Sequence, residues 1–96
     1  MTLTEFRASL DQAEPPAASA MALRTLWWDA KGDWDRAHAC AQQDAGAAGA
    51  IVHAYLHRKE GDLSNAGYWY RRAGRPVFPG PLEAEWTALA EEMLAG

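Results

Sequence analysis

The chain has one cysteine, Cys40, in 96 residues, so it forms no internal disulfide. That suits a reducing compartment. β-branched residues are scarce: four threonines, two valines and one isoleucine. Strands draw on such residues at alternating positions, so their shortage argues against a sheet. No apolar run approaches the roughly 18 residues of a membrane helix, and Met1 to Leu10 carries Glu5 and Arg7 instead of a leader-like stretch. The expectation is a soluble, cytoplasmic protein without a membrane partner. Positive charge is also short. Nine Lys and Arg stand against thirteen Asp and Glu, for a net charge of −4. Nucleic-acid affinity rests on Lys and Arg neutralising phosphates, so no nucleic-acid partner is expected.

What is abundant is alanine, at 21 residues, together with five tryptophans. Alanine is the best helix former, and a chain of this length has room for one small core. The reading is one all-α domain over residues 1–96.

Helix signals divide the chain into about six elements. Thr2-Leu3-Thr4-Glu5 has the form of a capping box. It predicts a first helix over 3–13 with Leu3, Phe6 and Leu10 on one face, stopped by Pro15-Pro16. Proline also suits a helix start, so the same pair predicts a second helix over 16–31. Gly32 ends it and Asp33 caps a third, ending near Gln43. Asp44 caps a fourth helix over 45–60, apolar almost all round and therefore central. Gly61-Asp62 repeats the stop and cap. A fifth helix over 63–73 turns Leu63, Ala66, Tyr70 and Ala73 inward. After Gly74-Arg75-Pro76, Pro81 opens a last helix over 81–95, with Leu82, Trp86, Leu89 and Met93 on one face. The six are expected to stack antiparallel: hairpins at 16–43 and 45–75, with 3–13 and 81–95 as caps.

The two Gly-Asp corners carry an internal repeat. Lys31-Gly32-Asp33-Trp34-Asp35-Arg36-Ala37 aligns with Glu60-Gly61-Asp62-Leu63-Ser64-Asn65-Ala66 at an offset of 29. Each places a large apolar residue after the cap and an alanine three positions on, which leaves room for close helix crossing. Gly61-Asp62-Leu63, Ala66, Tyr70 and Ala73, with Pro76 after them, resemble the turn and second helix of a tetratricopeptide repeat. Ala54 and His57 stand where that family prefers a small residue and an aromatic. The first hairpin follows with Trp28, Gly32, Asp33, Trp34 and Ala37, but has Ala41 where a large ring is usual. The resemblance covers roughly residues 18–76, with two repeats and a spacing shorter than the family's period. It implies a compact stack of hairpins that binds another protein, or itself, without catalysis and without a cofactor. The run from His53 to Arg72 is also similar to short uncharacterised bacterial proteins, which carry no activity over.

In the resembled family the first helices of successive hairpins line a concave groove. By position that groove holds Ala22, Leu26, Asp29, Ile51, Tyr55 and Arg58, with Trp28 beside it. An aromatic with an arginine is a hot-spot composition. The competing reading pairs Asp29 with Arg58 and puts Tyr55 in the core. Residues 57–75 sum to +3 on an acidic chain, and Arg58, Arg71 and Arg72 are candidates for an anion. Tyr68 stands four residues before Arg72, within ring–guanidinium reach.

His53 and His57 lie one helical turn apart, a spacing that can hold a metal if His38 or an acid supplies a third ligand. No glutamate follows the first histidine, so a zinc-protease signature is absent, and histidines satisfied by ordinary hydrogen bonds are the more frequent case. His38 and Cys40 point to nearly opposite sides of their helix and form no nucleophile–base pair. The glycines of Gly46-Ala47-Ala48-Gly49 lack the Lys-Ser/Thr of a phosphate loop and are expected to permit close packing. Five tryptophans are many for so small a core, so a homodimer through Trp28 or Trp86 is a further expectation.

Overall fold

Two glycine-aspartate corners set the chain's path. Gly32 and Gly61 have φ of 83° and 88°, a left-handed conformation that costs other residues. At the first corner Asp33 N–H donates to Trp28 O and Gly32 N–H to Asp29 O, both at 2.9 Å. At the second, Asp62 N–H donates to His57 O at 2.9 Å and Gly61 N–H to Arg58 O at 3.1 Å. These are Schellman turns, and they satisfy carbonyls the helix end leaves free. Asp33 and Asp62 then accept from the backbone N–H of Arg36 and Asn65, which caps the next helix.

The computed structural model describes all residues, Met1–Gly96. It is all-α and has no strand: α1 Leu3–Ala8, a 3-10 turn Ser9–Asp11, α2 Met21–Ala30, α3 Trp34–Gln42, α4 Ala47–Glu60, α5 Leu63–Ala73 and α6 Leu82–Ala95. No helix is long and apolar enough to cross a membrane. Helix α4 is the centre, with α2, α3, α5 and α6 all packed on it. Every residue from Gly49 to His57 is buried. Indole N–H groups staple the layers at three places: Trp27 to Ser9 Oγ, Trp34 to Leu56 O and Trp86 to Leu26 O. A buried indole needs such a partner.

Several expected boundaries move. The first helix stops at Ala8 and continues only as the 3-10 turn. The second begins at Met21 rather than Pro16. Glu14 precedes a proline, which disfavours helical backbone there. Ala18 then turns left-handed at φ 66°, and Ser19 N–H and Oγ both donate to Pro16 O. That closes a turn where a helix would have run. Asp44 is not the cap of α4. Its Oδ1 accepts from Gly46 N–H at 2.8 Å, so Gly46 takes the cap position and the helix starts at Ala47. Leu63, expected inward, is 69% exposed. It is the first residue of α5, at the corner, and the buried face of that helix begins with Ala66.

Gly49, near the start of α4, and Gly67, in α5, do different things. A Cβ on Gly49 would lie 1.9 Å from the Asp44 carbonyl oxygen. That oxygen belongs to backbone, so it cannot swing away. Close packing is thus between α4 and the connector from α3. Gly67, in the middle of α5, has only the tip of Arg71 at 3.4 Å. Chemical denaturation should separate them. Gly49→Ala is expected to destabilise by about 3 kcal/mol, an overpacking cost. Gly67→Ala is expected to stabilise by about 0.5–1 kcal/mol, through helix propensity.

Candidate functional site

The sequence-derived groove is closed by the chain's own last helix. Ala22, Leu26, Asp29, Ile51 and Tyr55 are buried, and Arg58 is partly so. Helix α6 lies across α2 and α4. Its Trp86 indole donates to Leu26 O at 2.9 Å, and its Glu85, 1% exposed, receives Arg58 Nη1 at 2.8 Å. Tyr70 Oη also donates to Glu85, and Arg58 Nη2 donates to Gly80 O. Asp29 does not pair with Arg58. It accepts from Tyr55 Oη and from Lys59 Nζ, each at 2.8 Å. Burial, reinforced by the neighbouring Asp29 charge, pushes the Tyr55 hydroxyl far above its ordinary value. Burial and the hydrogen bond to Glu85 push Tyr70 up likewise.

At the edge where α6 meets α1 and α2, the surface stays open. A cleft of about 480 Å³ is lined by Leu10, Ala30, Tyr55, Leu82 and Trp86, with Arg7, Asp29, Lys59, Glu83 and Thr87. Asp29 and Tyr55 are the two groove residues that reach it.

The three arginines named for an anion go to separate places. Arg58 is engaged by Glu85 and Gly80. Arg72 donates to Tyr68 Oη at 3.1 Å and lies over the Trp69 ring at 5.4 Å. Arg71 is exposed. Trp28 is half-buried, with the Arg36 guanidinium 4.5 Å over its ring. Trp86 is buried. Cys40 is half-buried, and desolvation raises its thiol, which leaves little thiolate for chemistry.

The histidines do converge. His38, on α3, brings Nε2 to 2.9 Å from His53 Nε2. One nitrogen from each of His38, His53 and His57 lies within 4.8 Å of the other two. His57 Nδ1–H donates to Glu60 Oε1 at 2.7 Å, and Asn65 Nδ2 approaches His57 Nε2 at 3.3 Å. Tryptophans close the sides. Trp34 stacks on His38 at 4.7 Å, and Trp69 stacks on His53 at 3.9 Å. A second opening, about 340 Å³, reaches His53 past Trp69, Arg72, Gln42 and Asp44. Burial, then the nearby His38 and His57 rings, bring the His53 pKa down to about 4. Burial lowers His38 too, with His57 adding to it.

Trp69 and Asn65 were not among the residues singled out as site candidates from sequence, and neither was Glu85. Glu85 had a signal. It is an acid inside the apolar stripe of Leu82, Trp86 and Leu89, where a solvated charge has no place. No protein-family model, curated protein or solved structure matches the chain.

Two measurements test these assignments. Arg58→Ala leaves the buried Glu85 carboxylate without its cation, and the expected loss is about 3–5 kcal/mol. Arg71→Ala should change stability by less than about 0.5 kcal/mol. The acid limb of stability should carry His53. Unfolded, the ring takes a proton near its ordinary 6.5; folded, it does so only near 4. Between those values the unfolded chain binds more protons, so stability falls as pH drops from about 6.5 through 4, by up to about 3 kcal/mol. NMR of the His53 ring should show no titration between about pH 7 and 5 while urea midpoints decline.

Proposed function

We propose that this chain is a non-catalytic, tetratricopeptide-like helical module that binds a segment of another protein. The observation that carries the reading is the open cleft between α1, α2 and α6. Its volume of about 480 Å³ is that of a site for a large side chain or a small molecule. An apolar floor of Leu10, Ala30, Leu82 and Trp86 would hold a partner's large apolar residue. Arg7 stands at the same cleft and would meet a carboxylate beside it. The Gly-Asp corners and the hairpin offset of 29 support the family likeness. The expected groove face is taken by α6, so the partner site moves to the edge that α6 leaves open.

The recognition chemistry follows from what is buried beneath. Tyr55 and Lys59 both hold Asp29, so the polar end of the cleft is rigid before any partner arrives. Preorganisation of that kind reduces the ordering cost of binding.

Peptides selected from a random library on the immobilised chain test this. Binders should be rich in a large apolar residue next to an acidic one. Their NMR shift changes should centre on Ala30, Leu82 and Thr87. Ala30 is exposed, so Ala30→Arg obstructs the cleft without disturbing the core and should weaken binding at least about tenfold, or 1.4 kcal/mol. Peptides that bind Ala30→Arg as well as the parent would refute the site. Light scattering across dilution reads whether a second copy is the occupant.

A further inference from the structure

We propose that His38, His53 and His57 form a binding site for a divalent transition metal of the zinc type, with a fourth coordination position left for water. This site shares no residue with the peptide cleft, and it stands independently of that reading.

Four observations carry it. First, the three imidazoles come from two helices, and one nitrogen of each lies within 4.8 Å of the others. Three neutral imidazoles with an open position are a recurrent zinc ligand set. Second, His57 is already in the tautomer that a metal needs. His57 Nδ1–H is committed to Glu60 Oε1 at 2.7 Å, which leaves Nε2 unprotonated, with only the 3.3 Å contact from Asn65 Nδ2 on its lone pair. A carboxylate behind a ligating histidine fixes its tautomer and raises its basicity. Third, Trp34 and Trp69 stack on His38 and His53 and hold those ring planes in place. Fourth, the arrangement is a poor way to fill a core. His53 and His57 are 4% and 5% exposed, and burying imidazoles incurs desolvation that leucines would not.

The geometry also says what must move. Two nitrogens on one tetrahedral zinc, each about 2.05 Å from it, sit about 3.3 Å apart. His38 and His53 Nε2 are 2.9 Å apart, so their hydrogen bond must open by a few tenths of an ångström. The ring that donates in it must shift its proton to Nδ1. His38 is only half-buried, so it has room to move. The 3.3 Å contact from Asn65 to His57 Nε2 is displaced when that nitrogen ligates. Glu60 is a positioning residue here, since it acts through His57.

The test uses the full chain without a histidine tag, stripped with chelator and titrated with Zn²⁺ and with Co²⁺. Calorimetry should show one saturable site, Co²⁺ should develop a visible ligand-field spectrum, and Zn²⁺ should raise the melting temperature in a concentration-dependent way. Glu60→Gln should weaken binding about 10- to 100-fold and keep the Co²⁺ spectrum. His38→Ala, at a half-buried position, should weaken it further and change that spectrum, with circular dichroism confirming the fold. Cys40→Ser should titrate like the parent. No saturable binding of either ion by the folded parent overturns the site. So does a His38→Ala chain that titrates like the parent, or a Cys40→Ser chain that does not.

Discussion

Arg58 and Lys59 are adjacent at the end of α4, and successive side chains on a helix diverge by about 100°. One therefore reaches α6 and the other α2. Arg58 holds Glu85 and Lys59 holds Asp29, both at 2.8 Å. Each carboxylate is buried and takes a tyrosine hydroxyl as well. A buried carboxylate tolerates few alternative arrangements, because a shifted helix would strand it without partners. The two pairs thus set where α6 lies on α4 and where α2 crosses it. Hydrophobic burial alone would not discriminate so sharply, since alanine-rich faces offer little shape to interlock.

That register has a functional consequence. Of the residues that would make a hot spot on an open face, the arginine is used on Glu85 of the chain's own α6 and the tyrosine on Asp29 of α2. The protein has in effect bound its sixth helix on the face where the sequence reading placed a partner groove. What stays open is the edge beyond it, where Leu10, Ala30 and Leu82 surround a cleft. The proposed binding role then depends on that edge and on the rigidity that Asp29, Tyr55 and Lys59 lend to its polar end.

On the other side of α4 the constraint is of a different kind. His53 and His57 share a face because they are four residues apart, and the α3–α4 connector decides whether His38 can join them. The connector is tight. Asp44 folds back on Gly46, and Gly49 lets the α4 backbone approach the Asp44 carbonyl. A side chain at position 49 would push α3 and α4 apart and carry His38 away from its partners. A small residue in the first turn of α4 and a polar cluster one turn further on are therefore mechanically linked.

Much of the helical plan was legible locally. The corners at Gly32 and Gly61, the cap roles of Asp33 and Asp62, and the burial of α4 all follow from short-range stereochemistry and hydrophobic pattern, which act within a few residues. The misread places share a cause. Ala18, Gly46 and Leu63 depend on how a turn is closed or on what lies opposite, and neither is encoded in spacing. The pair His53 and His57 was readable from helical period, and Trp69, Asn65 and the choice of Lys59 over Arg58 for Asp29 were not. By itself the sequence determined helices, corners and a single alanine-rich domain, because propensity and capping are properties of neighbouring residues. The tertiary structure alone decided that α6 covers the groove and that a third imidazole meets the other two, because both depend on the angle at which helices far apart in the chain cross.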